Sequence, residues 1–581
     1  MRENFKQRII EALESYVKRL QTADSAKISG LIQLTVPPMP HLGDYATSLP
    51  LQLAKMLKKP PLVIAKDIAD AVAPHLSPTI EKVEVVKPGY VNFYLSSSWL
   101  QDALKEIIPQ EMQWGRTAHS PKKILVEYSS PNIAKMMHVG HFRSTLIGHA
   151  LDNILRHLGH KVVNDNHLGD WGTQFGKLLV AYRLWHAHAG DAKITVPELE
   201  TLYIRFHKEA KLDPGLEDQA RKETVRLQQG DKKARKLWEE FCRISLTEFK
   251  RIYDLFGITF DYLHGESFYE SMLPSIVKDA LARHIAVESE GAIIIPLDDV
   301  GLPPYVIRKS DGGFLYATSD LATIKWRDEH LDLDLVLYVV GDQQILHFKQ
   351  LFAAARKMGY GKKSELVHVP FGLILGEGGK KMSTREGEAV DAMYFIQKST
   401  ALAKKIIEEK NPDRSPTETN DLARRVALSA LVYNDLSRDR ESSVTFNWDT
   451  MMNFKGASAP YLLYTYVRVN GILHKVEAEH PEDLVAPMDA RLLNEPDELL
   501  LLRALVKFPD TLEEIETDHR PHHLVQYLNN LANIFHAAYD RLPVAQAEQD
   551  IRRARLALFR AVALTMKTGM ELLGMQPVEK M

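Results

Sequence analysis

Cysteine is almost missing: Cys242 is the only one in 581 residues. A lone thiol excludes an intramolecular disulfide and a zinc ribbon, and it suits a reducing compartment. It reads as a small core residue rather than a nucleophile. Long apolar runs are missing too. Nothing approaches the roughly 20 residues needed to span a bilayer, so no membrane-crossing helix is expected. Excess charge is missing: 73 Lys and Arg meet 76 Asp and Glu, a net charge of -3. Any nucleic-acid surface must therefore be built from local basic patches. There is no internal repeat and no low-complexity segment. The N-terminal stretch is interrupted by charge throughout, which is unlike a signal peptide. Phe5, Ile9, Leu13, Tyr16, Val17 and Leu20 instead fall on one stripe at helical spacing. A cytoplasmic protein is expected. The length suits roughly three or four domains.

Residues 1–112 read as a small α+β domain. Helical stretches at 45–58 and 62–76 are parted by Pro60-Pro61, and a β-rich stretch at 82–96 is punctuated by Gly89. Pro37, Pro38 and Pro40 mark an irregular loop. From 123 the pattern becomes α/β. Ile124–Tyr128 is an apolar strand, Ser129-Ser130-Pro131-Asn132 a turn, about 138–158 a helix, and 161–164 a second strand after Gly159. Strand, loop, helix, strand is the βαβ unit of a parallel sheet. Further strands are expected at 292–296, 335–340 and 367–375. A charged stretch at about 190–255 reads as helices, its Asp231–Lys236 run being a solvated face. From about 400 onward, apolar residues such as Leu524, Leu528, Leu531 and Phe535 recur at three and four, the pattern of a helical bundle.

Two segments carry chemistry. Lys135-Met136-Met137-His138-Val139-Gly140-His141 follows a strand and opens a helix. His138 and His141, three apart, share a helix face. A helix N-terminus suits a phosphate, and two imidazoles beside it can donate to a phosphorus centre as negative charge builds. Gly140 leaves room for a flat base or ribose. A metal pair or two ordinary surface histidines are the competing readings. Zinc pairs on helices usually lie four apart with a third ligand. Far downstream, Gly378-Gly379-Lys380-Lys381-Met382-Ser383-Thr384-Arg385-Glu386-Gly387 is a glycine-flanked basic loop. Its lysines suit a triphosphate and a leaving pyrophosphate; alone it is equally a basic surface loop.

Together the two segments resemble the "HIGH" and "KMSK" signatures of class I aminoacyl-tRNA synthetases, which occur in this order on a Rossmann-type core. Ser129–Lys135, Asn166–Gly176, Gly265-Glu266-Ser267 and Tyr316–Ala322 resemble arginyl-tRNA synthetases in particular, and matches run from His41–Thr47 almost to the C-terminus. The resemblance implies an α/β fold with a Rossmann-type parallel-sheet catalytic core at 118–395, carrying the helical insertion at about 190–255. An N-terminal α+β domain at 1–112 would contact tRNA. A helical connecting region at 396–452 would lead to an all-α anticodon-binding bundle at 453–581.

A guanidinium calls for planar acceptors, ideally paired carboxylates. The resemblance assigns Tyr316, Asp320 and Glu266 to the arginine side chain, Asn132 and Gln344 to its α-amino end, and His138 to the same ligand. It gives ATP the residues His138, Gly140, His141, Lys381, Met382 and Ser383, with Lys135, His138, His141 and Lys381 serving catalysis. Without it, Asp320 reads as a helix-surface acid and Tyr316 as a core aromatic. Thr384 stands where the second signature lysine belongs, and Lys135 is implied to replace that charge. Met136 replaces a common proline, and Glu386 sets an acid beside the loop. Mg2+ is expected on the ATP phosphates, with no dedicated metal ligands in the chain. The partners implied are L-arginine and tRNA(Arg), the latter required for activation itself, with no membrane partner and a monomeric state. Tyr461, Tyr464, Tyr466 and Arg468 are candidates for anticodon bases or, equally, core residues. The alternatives are a small-cofactor adenylyltransferase and a catalytically inactive tRNA-binding paralogue. The long helical C-terminal domain and the Tyr316/Asp320 pair argue against the first, the intact signatures against the second.

Overall fold

The computed structural model describes residues 5–20, 28–37, 39–117, 120–186, 193–376, 390–453, 456–484 and 487–581. Their contacts form two units. One joins Met1–Trp114 with Arg468–Phe508 and Asn530–Met566; the other joins Gly115–Val467 with Pro509–Asn529 and Lys567–Met581.

In the first unit the helix Phe5–Arg19 buries Phe5, Ile9, Leu13, Tyr16 and Val17 of the predicted stripe, whereas Leu20 falls in the turn after the helix and is only partly buried. Three strands follow: β1 (Tyr45–Thr47), β2 (Ile80–Val86) and β3 (Tyr90–Leu95), in the antiparallel order β1-β3-β2. The expected helix at 45–58 is therefore corrected at its start. Tyr45, Ala46 and Thr47 are buried against Phe93, Asn92 and Val91, and the helix begins at Leu49. Pro50 suits a first helical turn, and sheet pairing overrides the helical spacing upstream of it. The buried Asp44 accepts from the Leu95 amide at 2.8 Å and is salt-bridged to Arg503. Gln101 donates to the Leu493 carbonyl at 3.0 Å. The early and late parts of the chain thus share this unit's hydrogen bonds.

The second unit carries a parallel sheet of β4 (Lys123–Glu127), β5 (Lys161–Asp165), β9 (Leu335–Gly341) and β10 (Glu365–Phe371), in the order β10-β9-β4-β5. A separate antiparallel sheet holds β6 (Val287–Ser289), β7 (Ala292–Ile295) and β8 (Tyr305–Arg308). The central strands are apolar on both faces, as a sheet covered on both sides requires. From β4 the chain moves outward to β5, then returns to the other side of β4 for β9 and β10. Strand order therefore reverses between β4 and β9, and ligands of such sheets bind in the crevice at the carboxyl ends there.

The strand expected at 367–375 is interrupted. β10 ends at Phe371, and Ile374–Leu375 pairs instead with Val444–Thr445. Gly372 marks the break: its amide donates to the Arg440 carbonyl, and a Cβ there would meet the Glu441 carbonyl oxygen at 2.8 Å. The 190–255 stretch forms the helices Val196–Glu209, Gly215–Gln228 and Lys232–Phe256. Cys242, on the last of these, is only partly buried, and burial pushes its thiol pKa up. The late helices include His522–Tyr539 and Gln549–Leu572, with Leu524, Leu528, Leu531 and Phe535 fully buried.

Candidate active site

The site grows from the carboxyl end of β4. Ser129, Ser130 and Ala134 all have positive φ (74°, 48° and 62°), so the chain leaves the strand by a contorted turn. Hydrogen bonds hold it there. Ser130 N–H donates to Asn166 at 2.9 Å, Ile133 N–H to the Gly169 carbonyl at 3.1 Å, and Ala134 N–H to the Ser245 hydroxyl at 3.0 Å. Ser245 and Tyr253 lie on the helix Lys232–Phe256, and the Tyr253 hydroxyl is 2.7 Å from that of Ser129. That helix buttresses the signature turn, a role that its charged sequence does not announce.

The turn delivers His138 just ahead of the helix Gly140–Leu158 rather than on it. The expected shared helix face is replaced by a direct stack: the His138 and His141 rings lie 3.9 Å apart at 26°. The His138 amide donates to His141 Nδ1 at 3.2 Å, and the Gly140 amide to His138 Nδ1 at 3.1 Å. A Cβ on Gly140 would meet the His138 ring at 2.9 Å, so the glycine makes room for that imidazole. Burial lowers both pKa values, His141 to about 3, with Lys135 adding repulsion. Each ring is therefore neutral near pH 7 and has one N–H to donate. Lys135 Nζ sits over the Tyr203 ring at 5.3 Å, and the Met136 amide donates to Glu200 at 3.3 Å. The Val139 amide donates to the Val390 carbonyl and the Ala392 amide to the Met137 carbonyl, tying the signature to the segment that follows the second motif. Lys381, Met382, Ser383, Thr384 and Glu386 lie outside the described residues.

Beyond β5, Asn166–Asp170 forms the next wall. Asn132 and Gly169 are bridged in parallel fashion, which sets the exposed Asn132 side chain against the Gly169 backbone. Asp170 accepts from the Ser267 amide at 2.8 Å and the Ser267 hydroxyl at 2.6 Å, and a Cβ on Gly265 would collide with its carboxylate at 2.5 Å. The Gly265-Glu266-Ser267 segment is therefore wrapped around Asp170, which fixes Glu266 between them. Sequence reasoning missed Asp170 as a support, although it sits inside the quoted Asn166–Gly176 stretch. Burial, with repulsion from Asp320 and Asp170, pushes the Glu266 carboxyl up to about 7, against attraction from His167.

The opposite wall comes from the helix Tyr316–His330 and from the end of β9. Tyr316 opens that helix and is 56% exposed, so it is not a core aromatic. Asp320, one turn on, accepts a 2.7 Å hydrogen bond from His347 Nε2. Gln344 is exposed in the short turn after β9. Deeper in the sheet, the fully buried Arg327 pairs with Glu127 at 2.6 Å and Asp165 at 2.8 Å, locking the helix Tyr316–His330 to β4 and β5. Neither His347 nor Arg327 was singled out by sequence; no spacing motif marks them.

Among the described residues, the two His/carboxylate groupings compact enough for a metal are His480-Glu482-Asp483 and Glu514-Asp518-His523. Neither includes a signature residue. No described helix is long and apolar enough to cross a membrane. Of the tyrosines suggested for base stacking, Tyr466 is buried and bonds Glu579 at 3.1 Å, whereas Tyr464 is 42% exposed. Arg468 lies 3.6 Å from the Tyr539 ring centroid. Tyr466 is thus a core residue.

A parallel sheet with a switch point, and stacked histidines opening the first crossover helix beside it, define a class I tRNA synthetase. The model for "tRNA synthetases class I (R), catalytic domain" matches residues 103–448, that for the "Arginyl tRNA synthetase N terminal domain" matches 3–95, and that for the "DALR anticodon binding domain" matches 462–581. The arginine–tRNA ligase of Chloroflexus aurantiacus is 38% identical over 98% of this chain and all of its own. The crystal structure of arginyl-tRNA synthetase from Plasmodium falciparum has a TM-score of 0.81 at 26% identity and covers 98% of both chains. The arginyl-tRNA synthetase of Thermus thermophilus gives the same TM-score and identity over 98% of this chain and 99% of its own. The chain belongs to the arginine–tRNA ligase family.

Proposed function

We propose that the chain activates L-arginine with ATP to arginyl-adenylate and transfers the arginyl group to tRNA(Arg), releasing AMP and pyrophosphate. The observation that carries this reading is a carboxylate from each of two separate segments, Glu266 in the turn wrapped on Asp170 and Asp320 held by His347, with Asp320 adding repulsion to the burial that pushes the Glu266 carboxyl up. A cationic, planar ligand tip relieves that repulsion, and a guanidinium offers it five donors. Lysine or citrulline leaves the same acceptors unpaired, a penalty that can reach roughly 10⁴-fold without proofreading.

In this reading Glu266, Tyr316 and Asp320 hold the guanidinium while Asn132 and Gln344 hold the α-amino end. The arginine carboxylate attacks the α-phosphorus of ATP in line, and the bond to pyrophosphate breaks. Positioning and charge stabilisation dominate such a step. Neutral His138 and His141 donate hydrogen bonds to the α-phosphoryl oxygens as charge builds there. Lys135 and Lys381 supply the positive charge for the leaving pyrophosphate, and Gly140, Met382 and Ser383 complete the nucleotide site. Mg2+ enters with ATP. A terminal ribose hydroxyl of tRNA then attacks the adenylate carbonyl, and AMP leaves.

Residues 118–395 act as the catalytic domain, 396–452 as a connector, 1–112 as a tRNA contact and 453–581 as the anticodon reader, in a cytoplasmic monomer. Pyrophosphate exchange into ATP, run with each amino acid, with and without tRNA, tests the whole reading. Exchange dependent on arginine and tRNA is expected. Binding of tRNA without exchange would assign the chain to the inactive-paralogue alternative.

A further inference from the structure

His347 has no role in the reading above, yet it grips Asp320, one of the proposed guanidinium acceptors. Its Nε2 lies 2.7 Å from Asp320 Oδ2. An ionised carboxylate only accepts, so Nε2 carries the hydrogen. Among the described residues only the Oδ2 of Asp320 is hydrogen-bonded, which leaves Oδ1 for a ligand. The imidazole is hemmed in by Tyr316 at 5.0 Å, Phe348 at 5.5 Å and Tyr305 at 5.9 Å between ring centroids. Tyr305 is itself pinned by a 2.9 Å hydrogen bond to the Ala317 carbonyl. His347 stands three residues after Gln344, in the first turn of the helix Ile345–Met358, whereas Asp320 lies on the helix before β9. The hydrogen bond therefore ties together the two elements that carry the opposite ends of the proposed arginine site.

We propose that His347 is a positioning residue that orients Asp320 and fixes its span from Gln344, and so sets the length of guanidino side chain the site accepts. The proposal rests on Asp320 as the guanidinium acceptor and Gln344 as a contact of the α-amino end. A carboxylate left free to rotate costs alignment at the far end of a long, flexible substrate, and buttressed rotamers are what prevent this.

The test is steady-state aminoacylation by the full chain, with arginine and with its analogue one methylene longer, homoarginine. His347→Phe keeps the ring packing and removes the donor; His347→Gln keeps an N–H at similar reach. His347→Phe is expected to raise the arginine KM about tenfold, the size of one hydrogen bond to a charged group. It should leave kcat within about threefold and shrink the preference for arginine over homoarginine, while His347→Gln restores most of both. Combining His347→Phe with Asp320→Asn should add nothing to Asp320→Asn alone. If Asp320→Asn raises KM and His347→Phe changes neither KM nor preference by more than twofold, the positioning role is overturned while the Asp320 reading stands. If Asp320→Asn leaves KM unmoved, the acceptor reading itself fails, and the proposal with it.

Discussion

A Cβ placed on Gly169 would stand 2.2 Å from Oδ1 of Asn132. No real side chain tolerates that distance, so the glycine is the seat on which the Asn132 amide rests. Gly169 does not have a positive φ, and alanine fits its backbone. Only the far end of the Asn132 side chain has to yield. Gly169→Ala is therefore expected to change the melting temperature by less than about 3 °C while raising the arginine KM about tenfold through the displaced amide. Thermal melts and aminoacylation kinetics on the same preparation decide it. An unchanged KM would remove Asn132 from the α-amino site.

Glu266 gives a pH-dependent prediction. Its carboxyl keeps a proton up to about pH 7, against an ordinary value of 4.5. The unfolded chain releases that proton near 4.5, so this group costs folding stability that grows from pH 4.5 to 7 and is constant above. The cost is at most about 3 kcal/mol. Glu266→Gln should gain stability over the wild type across that window and show no difference in slope outside it. Arginine needs the ionised form, so the wild-type KM should rise as pH falls below 7, approaching tenfold per unit, while Glu266→Gln has a high, flat KM. Denaturant unfolding and arginine KM from pH 5.5 to 8 check both halves. A wild-type KM independent of pH would contradict the assignment.

The opposite sign holds for His141. Its folded pKa is depressed to about 3 from 6.5. Below pH 6.5 the unfolded chain takes up a proton that the folded chain refuses, so stability is lost as pH falls towards 3. By pH 5 the loss is about 2 kcal/mol. His149, His519 and His522, each lowered to about 4, add to the same acid sensitivity. His141→Asn should therefore recover part of it, with the variant gaining on the wild type between pH 7 and 5. Unfolding curves at the two pH values measure this; equal losses in both proteins would mean that His141 is protonated in the fold.

The sequence announces what depends on local chemistry. The βαβ alternation, the apolar stripes at 5–17 and 524–538, and the two signature segments are all readable because each is written in consecutive residues. The helix start at 45 is misread because Tyr45–Thr47 pairs with Phe93, Asn92 and Val91, which lie about 45 positions away. Gly140 is legible as a glycine needed for close approach, but its neighbour is the His138 ring. Asp170, Ser245, Tyr253 and His347 escape for the same reason. Each acts on a distant segment through one hydrogen bond, and one hydrogen bond leaves no periodicity. Arg143, 1% exposed, is a further case: it lies on the helix that His141 opens but bonds the Arg440 and Ser442 carbonyls and pairs with Asp435 at 3.4 Å.

Lys135 is the residue on which the departure at Thr384 turns. With threonine in place of the second signature lysine, the loop itself holds one positive charge fewer at that end. Lys135 is three residues ahead of His138, and its ammonium rests over the Tyr203 ring at 5.3 Å, a cation–π contact, with no salt bridge to it among the described residues. An ammonium held by an aromatic face keeps its full charge and is released at small cost, on the order of 1 kcal/mol. A carboxylate partner would have to be given up at greater cost. That is the arrangement expected of a cation that must swing to a phosphate when ATP arrives. Lys135→Ala should cut the rate of arginine-dependent, tRNA-dependent pyrophosphate exchange at least tenfold, and Lys135→Arg should retain more activity than alanine. Thr384→Lys in the alanine background should recover part of the loss by returning the charge to the loop. If Lys135→Ala stays within twofold of the wild type, the missing charge is not supplied from this side of the site.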